Sequence, residues 1–399
     1  MTDFTIASFN VKNLIGPGQE YYRFQSYSPE EYAWKKDWMA DQLLSLDADI
    51  VCFQEIFDQA ALRDVIDETS RRARALNAAT IPAPGQSHRR KAIFRKLKVT
   101  PYDEATLVFA PNAADTGEPG ARRPGLALLS RPGVVGTPER VQDLDPPLDI
   151  AFPPVRGLAQ DAAGHFTLRR VSRPIQKVRI SLGGREITVF NCHLKSKLGE
   201  YMVPPDGAYA PEADLTAYDA LGRGLGSLRA AVRRMAEAWV LRRAVVAELS
   251  DDRPVLVLGD FNDGEDAVSS EIIAGETPFK NYAWMLRHDA TDGGDRYSAE
   301  ENAAITEEIE RLRLHSAEKI FVRKSLRDMV YTASFGGVYD SIDQIFLSRH
   351  FLPGTPGSIG EMTYFSVLND HLTDGAHPEA PYNKLASDHG QIMAHIRMS

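Results

Sequence analysis

The chain reads as an α/β fold, and three observations carry that reading. Short apolar runs recur without the alternation of a half-solvated strand: Val255–Leu258 within PVLVLGDFNDG, Ile50–Glu55 (IVCFQE), Ile187–Lys197 (ITVFNCHLKSK) and Ser341–Ser348 (SIDQIFLS). Such runs form strands buried on both faces. Helix signatures stand between them, beginning with Ser28-Pro29-Glu30-Glu31, a capping box with proline at the first helical position. Each run also delivers an acid, an amide or an imidazole where the strand leaves its sheet, the usual place for a ligand site in α/β proteins.

In order, Phe4–Asn10 opens the chain as a strand and Asn13–Ser28 is a loop. A helix follows to about Leu46, with Trp38, Met39, Leu43 and Leu46 as its packing stripe. Asp47–Asp49 turns the chain into the Ile50–Glu55 strand. Phe57–Leu76 is a second helix, with Leu62, Val65, Ile66 and Thr69 inward and Arg71, Arg72 and Arg74 outward. From 78 to 172 the pattern weakens to two strands, Ala105–Ala110 and Gly125–Ser130, among surface insertions. These include a basic run, Ser87–Lys98 (SHRRKAIFRKLK), and the proline-rich Pro146–Pro154. Ile175–Ile180 and Glu186–Cys192 pair across Gly183-Gly184.

A loop at 199–226 precedes a long helix whose Leu228, Val232, Met235, Trp239, Val246 and Leu249 mark an inward face, which leaves Arg229, Arg233, Arg242 and Arg243 to solvent. The chain then enters Val255–Leu258. Gly259 permits a close backbone approach, and Asp263-Gly264 closes the element. Residues 265–326 read as a largely helical insertion, with a capping box at Ser298 and Glu301 and one face formed by Ile305, Ile309 and Leu312. Phe351–Asn383 is a loop-rich excursion before a last strand, Gly390–Ile396. The elements span the 399 residues, so one domain with insertions at about 78–172, 199–226, 265–326 and 351–383 is expected.

A hydrophobic fraction of 43% and a charged fraction of 25% belong to a globular protein with a sizeable core and exclude general disorder. The formal net charge of −9 argues against a protein that coats polyanions, though a local basic patch can still guide a phosphate. Cys52 and Cys192 both lie inside apolar runs, as small core residues, which makes a disulfide framework or a sulfur-based metal site unexpected. No apolar stretch reaches the roughly 18 residues of a membrane span. The opening MTDFTIASFN has neither a basic nor an apolar leader region, so the cytoplasm is the expected location.

Taken singly, Asn10 and Asn262 read as turn amides, Glu55 as a strand-end acid, and His193 or His389 as structural histidines. Taken together, in the order FTIASFN, IVCFQE, NCHLKSK, GDFND, SIDQIFLS and Ser387-Asp388-His389, they resemble the endonuclease/exonuclease/phosphatase superfamily. The resemblance runs from Asn10 to His389. It implies the deoxyribonuclease I-like fold, a four-layer α/β/β/α sandwich of two packed mixed sheets, and a metal-dependent phosphodiester hydrolase.

The resemblance also implies roles. Glu55 is the principal metal ligand, with Asn10 beside it and Asp388 completing the shell. Asp260 orients and deprotonates the attacking water or holds a second ion. Asn262 donates to the phosphorane oxygens, His389 faces the scissile phosphate with Asp343 fixing its tautomer, and His193 is the second imidazole. Carboxylates and amides without thiolates favour a hard ion, Mg²⁺ or Mn²⁺. His193-Leu194-Lys195-Ser196-Lys197 resembles a motif of bacterial nucleases in the superfamily, which implies a nucleic-acid substrate with Lys195 and Lys197 as contacts. Ser341 and Gln344 depart from the arginine and the aromatic or histidine that often flank the acid aligned with Asp343. A small phosphoester, such as a lipid headgroup or nucleotide, is the alternative substrate, and a binding scaffold without catalysis is a third reading. Oligomeric state is left open.

Overall fold

Two mixed sheets pack face to face with helices on both outer sides, the deoxyribonuclease I-like sandwich expected. The structure, a computed structural model, describes residues 3–22, 25–80, 98–113, 123–152, 165–203, 210–275, 298–324, 330–335, 338–372 and 384–399. From edge to edge, the first sheet runs β13 (Gly360–Leu368), β14 (Gln391–Met398), β1 (Asp3–Leu14), β2 (Ile50–Ile56), β4 (Gly125–Ser130) and β3 (Thr106–Ala110). The second runs β5 (Val135–Ala151), β6 (His165–Leu182), β7 (Arg185–His193), β8 (Val255–Asp260), β12 (Asp343–Ser348) and β9 (Leu314–Ser316). A short ribbon, β10 (Ala333–Phe335) with β11 (Val338–Asp340), precedes β12. The described helices are α1 (Pro29–Leu46), α2 (Gln59–Thr80), α3 (Ala220–Ser250), α4 (Val268–Ala274), α5 (Ala299–Leu312) and α6 (Ala317–Lys324).

The lack of alternation in the central strands has its cause in this layering. Phe9, Val51, Phe53 and Leu129 of the first sheet pack on Trp38, Met39 and Leu43 of α1 and Leu62 and Val65 of α2. The intervening Ile6, Ile50, Cys52 and Leu128 face Ile180, Val189, Leu256, Leu258 and Ile345 of the second sheet. On the far side, Phe190, Val255, Val257 and Phe346 meet Leu241, Val245 and Leu249 of α3. Every position of β8 is therefore buried.

Each sheet contains one parallel pair, β1 with β2 and β7 with β8, while its other neighbours are antiparallel. A parallel pair needs a crossover, supplied by α1 in the first sheet and α3 in the second. The crossover brings both members of a pair out at the same sheet edge. The α1 start is the expected capping box, in which Ser28 accepts from Glu31 N and the Glu31 side chain returns to Ser28 N. Ser298 and Glu301 cap α5 in the same way.

Several expectations are corrected. The stretch expected to be insertion up to 172 contributes β5 and the start of β6, so much of it is an edge of the second sheet. The excursion after Phe351 contains β13, which pairs with β14 along its length. The segment 265–326 holds β9, paired with β12. The long helix begins at Ala220, capped by Asp219, and not after Gly226. Its inward face also differs from the one expected. Leu228 and Trp239 are exposed, and Ala230, Arg234, Ala238, Leu241 and Val245 are buried, because small residues let the helix lie close to the sheet. Arg229, expected in solvent, is buried against Glu212 at 3.1 Å. Ile305 is exposed as well. Of the basic run Ser87–Lys98, only Lys98 falls among the described residues, and it is exposed. Both cysteines are buried and free, and no described helix is long and apolar enough to cross a membrane.

Candidate active site

The site forms where the two parallel pairs end. β1 leaves regular geometry just past Asn10: Lys12 and Asn13 have φ of 52° and 61°, and Asn10 Oδ1 accepts from Lys12 N at 3.0 Å. In β2 the register slips between Gln54 and Ile56, and Glu55 takes a left-handed φ of 66°. Such a conformation costs a non-glycine residue energy, and here it turns the carboxylate out of the pleat. Glu55 Oε2 accepts from Asn13 N at 3.0 Å, and Asn10 Nδ2 approaches Oε1 at 3.4 Å.

Asp260 at the end of β8 lies opposite His193 at the end of β7. The preceding pair, Cys192 and Gly259, makes this approach possible, because a Cβ on Gly259 would lie 1.9 Å from Cys192 O. Asp260 Oδ2 then becomes a meeting point. Asn10 Nδ2 donates to it at 2.9 Å, His193 Nε2 stands at 3.2 Å and His389 Nε2 at 3.8 Å. Asp260 Oδ1 accepts from Asn262 N at 2.8 Å. Asn262, at φ 53°, donates through Nδ2 to Leu194 O at 3.0 Å and faces Asp260 Oδ2 at 3.3 Å.

The other half of the site comes from β12, the antiparallel neighbour of β8, and from the loop leading into β14, the antiparallel neighbour of β1. Asp343 pairs with Asp260 across β12 and β8. Its Oδ2 lies 2.8 Å from His389 Nδ1. His389 is seated by Ser387, whose Oγ donates to Asn10 O at 2.6 Å and accepts from His389 N at 3.0 Å. Beneath the site a buried amide network links the sheets: Ser8 Oγ donates to Gln54 Oε1, Gln54 Nε2 to Asn191 Oδ1 at 2.8 Å, and Asn191 Nδ2 to Gln176 Oε1. Gln54 precedes Glu55, and Asn191 lies two residues before His193. A fully bonded polar network of this kind fixes the register of the layers above it.

The electrostatics follow from burial and crowding. Burial, reinforced by the charge of Asp343 and opposed by His389, pushes Asp260 up to about 7. Burial works against charge on His389 too, but Asp343 and Asp260 hold its pKa well above the ordinary imidazole value. His193 goes the other way: burial, with Arg173 and His389 nearby, keeps it well below that value. The two imidazoles are thus shifted in opposite directions, His389 toward the charged form and His193 toward the neutral one.

Asn10, Glu55, His193, Asp260, Asn262, Asp343 and His389 are brought together. Asp388 is exposed on the loop beside them. Among the described residues, Asp260, Asp343 and His389 form the group whose ligand atoms all stand within 4.8 Å of one another. Lys195 is turned away, its Nζ donating to Leu198 O at 2.7 Å. Lys197 pairs with Asp263 at 3.6 Å and Asp340 at 3.5 Å. A buried carboxylate pushed to about 7 beside other acids is one the fold leaves under-compensated. Oxygen donors with one imidazole fit a hard divalent ion.

Some residues that carry the site were not legible in the sequence. Glu237 of α3 is buried and accepts from Lys195 N at 2.7 Å and Ser172 N at 2.7 Å. Arg234, one turn away, donates to Asp263 Oδ2 at 2.9 Å and Lys195 O at 3.2 Å. Arg173 donates to Leu194 O at 3.2 Å. The signal for the first two was an opposite-charge pair at helical spacing, but it has meaning only once the buried face is known.

The profile of the Endonuclease/Exonuclease/phosphatase family matches residues 7–389, and the chain belongs to that family. Its members are hydrolases acting on phosphoester bonds and are generally dependent on divalent metal. Similar solved structures include an endonuclease/exonuclease/phosphatase from Bacteroides vulgatus, at 12% identity, coverage of 100% of both chains and a TM-score of 0.48. Truncated TDP2 from Caenorhabditis elegans is 12% identical, over 99% of this chain and 97% of that one, with a TM-score of 0.44. The human Nocturnin catalytic domain with bound sulfate is 13% identical, over 100% and 95%, with a TM-score of 0.42. No curated protein matches the chain.

Proposed function

We propose that the chain is a divalent-metal-dependent phosphodiester hydrolase, a nuclease in which water attacks phosphorus in line with the departing ester oxygen. The observation that carries this reading is Asp260: a carboxylate pushed to about 7, within reach of His193, Asn262 and His389. A general base works best with a pKa near the operating pH.

Glu55, with Asn10 and Asp388, is the residue that would hold Mg²⁺ or Mn²⁺, which when bound supplies positive charge to the phosphate oxygens, and Asp260 is kept for the proton of the water. The chain's own groups do the rest. Asp260 takes the proton of the water as the new P–O bond forms. Asn262 exchanges its weak contact to Asp260 Oδ2 for a phosphoryl oxygen, where charge develops. His193, neutral with Nε2–H directed at Asp260, is the second donor. As the ester P–O bond breaks, the leaving oxygen receives a proton from His389 Nε2–H, whose ring Asp343 holds through Nδ1.

A polynucleotide substrate is supported by the HLKSK segment. A second reading, a small phosphoester, is favoured by one observation: Lys195 and Lys197 are engaged by Leu198 O, Asp263 and Asp340. Turnover of bis(p-nitrophenyl) phosphate and of long DNA and RNA, each with chelator and with Mg²⁺ or Mn²⁺ restored, decides. Chelator-resistant hydrolysis contradicts the metal; activity on the small ester alone selects the second reading.

A further inference from the structure

Lys35 lies on the inner side of α1 and is 0% exposed. Its Nζ donates to three backbone carbonyls, Val11 O and Lys12 O at 2.8 Å each and Leu385 O at 2.9 Å. Burial pushes the amine down to about 7, and the three carbonyls hold it in the charged form, since a neutral amine has only two N–H groups for three acceptors. Taking an ammonium out of water is costly, and a methionine of similar length would fill the space without that cost. Stability alone is therefore a poor reason for a lysine here.

The acceptors supply a better one. Val11 directly follows Asn10, Lys12 and Asn13 form the left-handed bend after it, and Asn13 N donates to Glu55. Leu385 lies two residues before Ser387, which seats His389. The ring of Tyr27 covers the ammonium at 5.6 Å, and its hydroxyl donates to Lys12 O and Asn13 O at 3.4 and 3.0 Å. One nitrogen thus ties the bend of β1 to Leu385, which stands 350 residues beyond Lys35 along the chain.

We propose that Lys35 is a positioning residue, whose ammonium clamps the Asn10–Glu55 side of the site against the Ser387–His389 side and so sets the placement of His389. Lys35 touches no reacting atom. It acts through the backbone of β1 and of the loop before β14, and its catalytic consequence rests on the hydrolase reading above. A displacement of about 1 Å in such a constellation costs on the order of 10²-fold in rate.

The test compares Lys35→Met with Leu249→Ala, a cavity variant in the α3 layer remote from the site, at temperatures equally far below each variant's own Tm. Lys35→Met is expected to lose about 10²-fold in kcat on bis(p-nitrophenyl) phosphate with KM within about twofold, while Leu249→Ala keeps wild-type kcat. The second readout is independent of turnover: the downfield Nδ1 proton resonance of His389, assigned by its loss in His389→Gln, shifts or broadens in Lys35→Met and not in Leu249→Ala. If Lys35→Met matches Leu249→Ala in both readouts, the lysine is only a packing element and the proposal falls. Should the Met variant not fold, Lys35→Gln, which keeps two N–H donors, is judged by the same two readouts. If the wild type hydrolyses no phosphodiester, the hydrolase reading fails while the resonance still decides the clamp.

Discussion

Asp343 opens β12 in one sheet, His389 stands two residues before β14 in the other, and their side chains meet at 2.8 Å between Oδ2 and Nδ1. The imidazole is therefore oriented across the sandwich by the opposite layer, and its charge depends on that layer's carboxylate.

Replacing Asp343 with Asn keeps the shape and removes the charge. The imidazolium is lost as pH rises through the folded pKa of His389, and Asp343 raises that pKa. Asp343→Asn should then move the alkaline limb of the pH–rate profile to lower pH and lower kcat by about 10²- to 10⁴-fold. An unmoved limb in the variant would show that Asp343 does not govern His389.

Asp260 should contribute a loss of stability in chelator as pH rises from about 4 to 7. It is opposed by His193, His350 and His371, whose lowered pKa values add stability as pH rises toward the ordinary imidazole range. Asp260 is raised to about 7 by burial, so its contribution is present below the ordinary carboxylate range and is lost on the way to 7. His389, also raised, adds to the loss at higher pH. Glu68, held at about 2 chiefly by its bond to Arg71, acts oppositely, its contribution vanishing only as pH falls through 2. Thermal melts across this range check the sign, and Asp260→Asn should flatten the fall. Mn²⁺ should raise Tm more at pH 8 than at pH 5, since a cation compensates the charged form. An Asp260→Asn variant whose melts follow the same pH dependence as the wild type in chelator contradicts the account.

Gly259→Ala should be among the most damaging single-methyl changes. The new Cβ would lie 1.9 Å from Cys192 O at a φ of 146°, so β7 and β8 would have to separate. A loss of about 3 kcal/mol or more is expected. Gly136→Ala, at φ 68° with nothing within 4 Å of the added carbon, is the control and should cost about 1 to 2 kcal/mol. Equal urea midpoints for the two variants would rule out the steric argument.

Glu212→Ala should destabilise by about 3–5 kcal/mol, because it leaves the Arg229 guanidinium buried without its carboxylate. The double variant Glu212→Leu with Arg229→Met should recover most of this, since an apolar pair avoids desolvating two charges. Urea denaturation of both variants measures the difference, and a double variant no more stable than Glu212→Ala would contradict it.

What could be read from the sequence was set by burial. β1, β2, β7, β8 and β12 are covered on both faces, so they appear as unbroken apolar runs, and the residues that end them come together in the site. β5, in contrast, is an edge strand with prolines at 138, 146 and 147 and mostly exposed positions, and such a strand looks like a loop. β13 is half-exposed and β9 has three residues, too few to show a period. The inward face of α3 was hidden for a different reason. Its buried side includes Arg229, Arg234 and Glu237, whose partners Glu212, Asp263 and Ser172 come from elsewhere in the chain, and sequence spacing carries no trace of them.

The pairing of β1 with β14, in which Asp3 lies beside Arg397, bears on how the protein comes into being on the ribosome. β1 is made well before β14, and it lacks that neighbour until the later strand follows. Asn10 and His389, which stand 3.4 Å apart, are separated by 379 positions. Contacts this distant in sequence form late, after a large loop-closure cost. The cluster around Asp260 is therefore incomplete until the segment carrying His389 has been made, and its acids leave the ribosome before the imidazole that meets them.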